Sequence, residues 1–267
     1  GMGRATYTEI ACKAALYRLT GMPFAWSLNP YRGCVHACHY CYARATHAYF
    51  GLNADEDFEQ TIFVKTNLPD VLRKELAKPS WTGERIAVGT ATDAYQPCEG
   101  RYRITRRALE AMRDCRNGLS IVTKSTLVLR DADILAELSR YADVSVQFTI
   151  TTLDPATWKA VEPGTAPPWQ RLAVLRRLAD RGIRCGVFIA PVLPGVTDSV
   201  QSLEAVIAGA KEHGAAHVWA SPLRLTPLVK EHYFGFVAEN YPDLLPRYER
   251  AYGGTGAPPA YVAGIEA

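Results

Sequence analysis

Three of the seven cysteines fall within eight residues, at Cys34, Cys38 and Cys41 of the run Gly33-Cys34-Val35-His36-Ala37-Cys38-His39-Tyr40-Cys41-Tyr42. Offsets of 0, 4 and 7 put the thiols on successive turns of one tight loop, so their sulfurs can converge on one face of an iron–sulfur cluster. A four-iron cluster held by three thiolates keeps one iron open to a substrate or cofactor, which reads as a catalytic centre rather than a structural one. Two other readings use the same residues. A zinc site would draw a fourth ligand from His36, His39 or His47. Alternatively the cysteines are small buried hydrophobes, although Gly33 and the flanking Tyr and His residues make a poor core segment.

A loop of this kind needs a rigid rim to carry it. Apolar runs at 25–29, 85–89, 119–123, 144–150, 185–190 and 217–220 read as strands. Between them lie helical patterns: from 42 to 50; about ten residues from 68, with Asn67 as N-cap and Pro69 in the first turn; then 104–115, 131–141, 168–181 and 199–213. On 104–115, Leu109 and Met112 face inward. Strands alternating with helices imply a parallel sheet with right-handed crossovers, here an α/β fold, a partial (β/α)6 TIM-like barrel. The cysteine loop then sits at the C-terminal end of the first strand, where such barrels place their chemistry.

Residues 1–24 read as an N-terminal extension packed on the barrel of 25–225, and 226–267 as a C-terminal helical cap ending in a mobile tail rich in Gly, Pro and Ala. At 267 residues and 48% hydrophobic the chain can bury a sizeable core, and a monomer is expected. A net charge of +3 is too mild for a strong polyanion footprint. Cysteines without a secretory segment point to a reducing, cytoplasmic setting, and no apolar run approaches the roughly 20 residues that span a bilayer.

The CxxxCxxC loop with Tyr40 before the last cysteine, preceded by Met22-Pro23-Phe24 and by 26–33, and followed by Gly89-Thr90-Ala91-Thr92-Asp93-Ala94-Tyr95-Gln96-Pro97, resembles the radical S-adenosylmethionine enzymes. Within them it is most similar to the spore photoproduct lyase-like ("DNA repair photolyase") branch, especially actinobacterial members of unassigned substrate. The resemblance runs over residues 20–250 and implies a 4Fe-4S cluster, S-adenosyl-L-methionine, and an electron donor of flavodoxin or ferredoxin type. It assigns cluster ligation to Cys34, Cys38 and Cys41, and cofactor contacts to Thr92, Lys124 and Thr149, which match the branch pattern residue by residue. Thr90, Asp93 and Thr151 share the same rim on the strand assignment. Pro191, in the turn after the fifth strand, suits close approach of an adenine ring.

Glu162 and Arg171 match a further patch of the branch, as partners of each other, of the cofactor, or of a plain surface ion pair. Tyr40 and Tyr42 occupy positions where the lyase relays hydrogen, with packing as the alternative. The lyase pattern carries a hydrogen-donating cysteine where this chain has Thr90, which argues against thymine-dimer reversal. Cys98, on the same rim loop, is the candidate replacement, or else an apolar loop residue. The expected substrate is a small molecule or a peptide. A competing class is a nucleic-acid-acting or redox-sensing cluster protein, resting on Arg101, Arg103, Arg106, Arg107 and the aromatic C-terminal segment.

Overall fold

The apolar runs that read as strands pair with one another in sequence order. The computed structural model describes residues 5–22, 24–41, 44 and 55–266. The chain opens with β1 (Thr6–Ile10), β2 (Leu16–Arg18), β3 (Trp26–Leu28) and β4 (Tyr31–Arg32). A short helix, α1 (Glu56–Gln60), leads into β5 (Thr61–Lys65) and α2 (Leu68–Leu76). Strand and helix then alternate: β6 (Ile86–Val88) with α3 (Glu99–Tyr102) and α4 (Ile104–Asp114), β7 (Leu119–Thr123) with α5 (Ala132–Ser139), and β8 (Val144–Thr149) with α6 (Pro155–Val161) and α7 (Pro168–Asp180). After β9 (Arg184–Val192), α8 (Val200–Glu212) and β10 (His217–Pro222) come three helices, α9 (Pro227–Asn240), α10 (Leu245–Ala251) and α11 (Pro259–Glu266).

The main sheet has the order β10-β9-β8-β7-β6-β3-β2, with six parallel strands from β3 to β10 and β2 antiparallel at one edge. These six are the strands expected from the sequence, in an open, partial barrel. One register row runs Leu28, Val88, Ile121, Val146, Cys185, every member buried in the core shared with the helices. Each large apolar side chain fully buried there is worth about 1.5–3 kcal/mol.

The alternate positions face the other way. They form the rows Val122, Gln147, Gly186, His217 and Thr149, Phe188, Trp219. This inner surface is polar and hydrogen-bonded: Ser120 Oγ donates to Gln147 Oε1 at 3.0 Å, and Gln147 Nε2 lies 3.2 Å from His217 Nε2. A Cβ on Gly186 would fall 2.0 Å from the His217 ring, so glycine is what makes room for it.

The extension of 1–24 does more than pack on the barrel. It supplies β2 to the main sheet and β1 to a second, three-stranded sheet of order β1-β5-β4, in which β1 runs parallel to β5 with Thr6 opposite Thr61. Asn67 stands at the N-cap position of α2, but its side chain does not cap the helix. It accepts from Cys12 N at 2.8 Å and donates to Cys12 O at 3.0 Å, tying the end of β1 to α2. Elsewhere Ser199 caps α8, its Oγ accepting from Ser202 N at 3.1 Å, and the inward face expected of Leu109 and Met112 holds, both being buried on α4. The segment after Gly253, expected as a mobile tail from its composition, carries α11, with Ile265 packed against the core and the Tyr261 hydroxyl donating to Asp198 Oδ2 at 3.0 Å. Among the described residues no helix is long and apolar enough to cross a membrane.

Candidate active site

The cysteine loop leaves β4 at Gly33, whose φ of 78° is open to glycine without a Cβ penalty. Its carbonyl accepts from the Thr92 hydroxyl at 2.7 Å and from Gln96 Nε2 at 3.0 Å, while Gln96 Oε1 accepts from Val35 N at 3.3 Å. Cys34 N donates to Phe58 O at 3.0 Å. On the opposite flank His39 N donates to Val161 O at 3.3 Å and Gly164 N donates to His36 O at 2.9 Å. A Cβ on Gly164 would sit 2.2 Å from the Val35 carbonyl oxygen, so the segment after α6 can approach the loop only as glycine. From below, the buried Arg44 donates Nε to Cys38 O at 3.1 Å and Nη2 to Glu59 Oε1 at 2.5 Å.

Buried charges complete the frame. Asp93 Oδ1 accepts from Tyr95 N at 2.9 Å and the Thr123 hydroxyl at 2.8 Å; Oδ2 accepts from Lys124 N at 2.9 Å and lies 3.2 Å from His36 Nδ1. Burial disfavours the charged imidazole, but Cys34 and Asp93 outweigh it and raise His36 to about 10. Burial alone would raise the Cys34 thiol, and His36 outweighs that too, leaving it lowered. Burial pushes Cys38 up, with Lys124 opposing. Lys124 is held raised, because Cys38, Glu162, Cys41 and Asp93 together overcome its burial, and its Nζ stands 5.5 Å from the Tyr40 ring centroid.

The Tyr40 hydroxyl donates to Glu162 Oε2, and Arg171 Nη2 donates to Glu162 Oε1 at 2.9 Å. Arg171 also donates to Thr149 O at 2.7 Å and to the Thr165 hydroxyl at 2.7 Å. The Glu162–Arg171 pair is therefore a buried bracket joining β8, α7 and the cysteine loop, not a surface ion pair.

Several expected site residues meet here and others do not. Thr92 and Asp93 hold the loop with their side chains. Thr149 accepts from Arg171 through its carbonyl, on the inner row of β8. The Thr151 hydroxyl is buried with no hydrogen-bond partner, and Lys124 Nζ has no hydrogen bond or ion pair among the described residues. Pro191 lies half-buried at the end of β9. Thr90 accepts from Asn29 Nδ2 at 3.1 Å, in a cleft to one side. Cys98 packs in the main core at the start of α3, and burial, then Glu99 and Cys34, push its thiol up to about 12. Tyr42 and His47, with all of the expected helix of 42–50 but Arg44, lie outside the described residues. Arg106 is spent on Asp131 at 2.8 Å and Asp133 at 3.0 Å, which removes it from any basic face.

The sequence reading missed Gln96 and the roof of the loop. Cys38 and Tyr40 are buried in a second core with Leu193, Val229, Tyr233, Phe236 and Tyr248, and His39 stacks on Phe236 at 4.4 Å. The C-terminal helices thus close over the cysteines. Spacing of Val229, Tyr233 and Phe236 along α9 was the available signal.

The donor chemistry fits an iron–sulfur cluster. Cys41 packs between the group of Cys34 and Phe58 and the group of Cys38 and Tyr40. Among the described residues no three donors surround a single point, as a mononuclear zinc site requires; a cluster that takes each thiolate on a different iron has no such need. His36 and His39, the described candidates for a zinc ligand, are engaged by Asp93 and by His232, whose Nε2 lies 2.9 Å from His39 Nδ1.

Comparison with known proteins agrees with this geometry. The model of the Radical SAM superfamily matches residues 28–206. An uncharacterized protein of Mycobacterium tuberculosis, Rv2578c, is 39% identical over 260 residues, 96% of this chain and 76% of that protein. An uncharacterized protein of Methanocaldococcus jannaschii, MJ0683, is 33% identical over 171 residues, 64% of this chain and 61% of that protein. Among solved structures, spore photoproduct lyase complexed with dinucleoside spore photoproduct superposes with a TM-score of 0.71 at 18% identity, covering 97% of this chain and 76% of that one. A double mutant of the lyase with bound AdoMet and the dinucleoside superposes at 0.64 and 19% identity, covering 88% of this chain and 66% of that one. At these identities the likeness to the lyase is one of fold. The family match runs from the end of β3 into α8, with the cysteine loop inside it, and the chain belongs to the Radical SAM superfamily, enzymes that use S-adenosylmethionine with an iron–sulfur cluster.

Proposed function

We propose that this chain is a radical S-adenosylmethionine enzyme of the spore photoproduct lyase-like branch, with a 4Fe-4S cluster on Cys34, Cys38 and Cys41. S-adenosylmethionine would lie along the inner rows beside Lys124, Thr149, Thr151 and Pro191. The observation that carries this reading is the Thr151 hydroxyl, buried at a strand end with no hydrogen-bond partner among the described residues, together with the Lys124 ammonium at the next strand end, which sits by the Tyr40 ring and the cysteines but makes no hydrogen bond there. Leaving the Thr151 hydroxyl so is costly unless a ligand completes it.

When bound and reduced, these cofactors supply a 5′-deoxyadenosyl radical for hydrogen abstraction from the substrate. The residues of the chain hold, orient and exclude. Lys124 offers a cation to the carboxylate of the methionyl group, and Thr151 offers a hydroxyl beside it. Thr92, Gln96 and the Glu162–Arg171 bracket fix the loop from two sides, while α9 and α10 keep water from Cys38. A flavodoxin or ferredoxin type of donor is the partner this chemistry needs.

A small molecule or peptide is the favoured substrate, because Thr90 replaces the hydrogen-donating cysteine of the lyase pattern and Arg106 is already paired. Anaerobic reconstitution should give about four irons per chain, and dithionite with S-adenosylmethionine should release 5′-deoxyadenosine. Replacing Cys34, Cys38 and Cys41 by Ala should abolish both. Iron and cleavage surviving in that triple variant would overturn the proposal.

A further inference from the structure

On the inner surface of the main sheet, one row of paired positions runs from Thr149 on β8 through Phe188 on β9 to Trp219 on the edge strand β10. Their sequence neighbours Phe148, Val187 and Val218 pack into the core shared with the helices, so the row itself faces the other way. Adjacent strands lie about 4.8 Å apart, which puts the Trp219 backbone roughly 10 Å from Thr149, where the proposed cofactor lies. The Phe188 and Trp219 ring centroids are 5.2 Å apart, and Trp219 is 55% exposed.

The exposed indole is nonetheless held. Its ring stacks on His217 at 4.2 Å, and the His217 ring occupies the space that a Cβ on Gly186 would take. A chain of hydrogen bonds fixes that imidazole. Ser145 Oγ donates to Ser120 Oγ at 3.3 Å and Ser120 Oγ to Gln147 Oε1 at 3.0 Å, which leaves Gln147 Nε2 to donate to His217 Nε2 at 3.2 Å. Burial, then Arg184, lower the imidazole below its ordinary value, so near neutral pH it is uncharged, accepting at Nε2 and carrying its proton on Nδ1. That Nδ1 is buried with no hydrogen-bond partner among the described residues, a donor left for a ligand to complete. A tryptophan scattered on a surface has no such support behind it.

We propose that Trp219, backed by His217 and flanked by Phe188, is a stacking subsite that seats an aromatic ring of the substrate. Flat π-faces favour an offset stack on the open side of the indole, and the reacting part of the substrate extends along the row toward Thr149. Calling the ligand a substrate rests on the radical S-adenosylmethionine reading; the ring subsite itself does not.

The reconstituted chain, labelled with fluorotryptophan, is titrated by fluorine NMR with N-acetyltyrosinamide, uridine and, as the non-aromatic control, N-acetylleucinamide. The Trp219 resonance is the one lost in Trp219→Phe. At least one aromatic probe should shift it saturably and bind at least fivefold more tightly than the control, and the tighter of the two tells an amino-acid ring from a nucleobase. By calorimetry, Trp219→Ala should weaken that binding at least fivefold and Trp219→Phe should keep most of it. The resonance of Trp169, a comparably exposed tryptophan on α7, should stay still. Neither aromatic probe exceeding the control, or equal affinity in Trp219→Ala, would overturn the subsite. S-adenosylhomocysteine should bind Trp219→Ala as it binds the parent; a matching loss would give the indole to the cofactor's adenine and overturn the subsite too. So would a parent that sediments as a dimer while Trp219→Ala does not, since a second copy would then be the occupant. Release of 5′-deoxyadenosine is measured separately on the parent protein, so a chain that cleaves the cofactor but binds neither ring refutes only the subsite. A chain that binds the ring but never cleaves refutes the enzyme reading instead.

Discussion

Arg171 and Glu162 pair at 2.9 Å with side-chain exposures of 0% and 1%, and the same carboxylate receives the Tyr40 hydroxyl from the cysteine loop. Burial raises the energy of the Glu162 charge, but Arg171 and Lys124 outweigh it, so its carboxyl is lowered. A lowered carboxyl stabilises the fold fully above its ordinary value of 4.5 and loses that contribution as pH falls through the folded value.

Arg171→Met strands a buried carboxylate and should cost about 3–5 kcal/mol in urea unfolding at pH 7. Adding Glu162→Gln should recover much of the loss, since the uncompensated charge goes with it. A double variant no better than the single would mean that the hydrogen bonds to Thr149 and Thr165, not the charge pair, carry the cost.

Gly164→Ala pushes a methyl against backbone that has no side chain to yield, 2.2 Å from Val35 O and 2.7 Å from His36 O. The loop must shift, at about 1–3 kcal/mol. The expected signature is a fall in iron per chain after reconstitution, with the far-ultraviolet circular dichroism retained. Normal iron loading would show that the loop moves freely against α6.

The six parallel strands were legible because their outward rows are apolar and their helices carry local signals, as Ser199 at the cap of α8 shows. The small sheet was not. β1 is largely exposed, β4 is only two residues long, and β5 pairs with segments on either side of the main sheet's strand β3, a non-local choice that no periodicity records. Thr92 and Asp93 were recognised as site residues, yet their partners, Gly33 and His36, lie across the fold. Tyr40 and Glu162 are 122 positions apart, so a tyrosine beside a cysteine could suggest relay or packing but not this bond. The roof over Cys38 was hidden because the spacing of Val229, Tyr233 and Phe236 marks a buried face of α9 without naming what that face covers.

Cys98 gives a third test. With its thiol pushed up to about 12 by burial, then Glu99 and Cys34, the reactive thiolate at pH 8 is on the order of one part in ten thousand. Iodoacetamide should modify the exposed Cys115 long before Cys98 in the native chain, and the two should react alike in urea. Prompt native labelling of Cys98 would place it at an open rim and restore it as a candidate hydrogen donor.

Lys65 supplies the last test, read in how stability changes with pH. Burial, then the neighbouring Arg32, lower its ammonium from 10.5 to about 8, with Cys12 opposing. Because the folded value is below the unfolded one, the unfolded chain binds more protons between those two pH values. Stability therefore rises with pH through that window, and the penalty is complete below about 8. Lys65→Met removes it and should stabilise the chain at pH 7 by about 1–3 kcal/mol, less what the Tyr17 ring contact contributed. The gain over the parent should shrink to nothing near pH 10.5. Thermal unfolding at pH 7, 9 and 10.5 reads this directly. A variant less stable than the parent at every pH would show instead that the fold depends on the Lys65 ammonium and its contact with the Tyr17 ring.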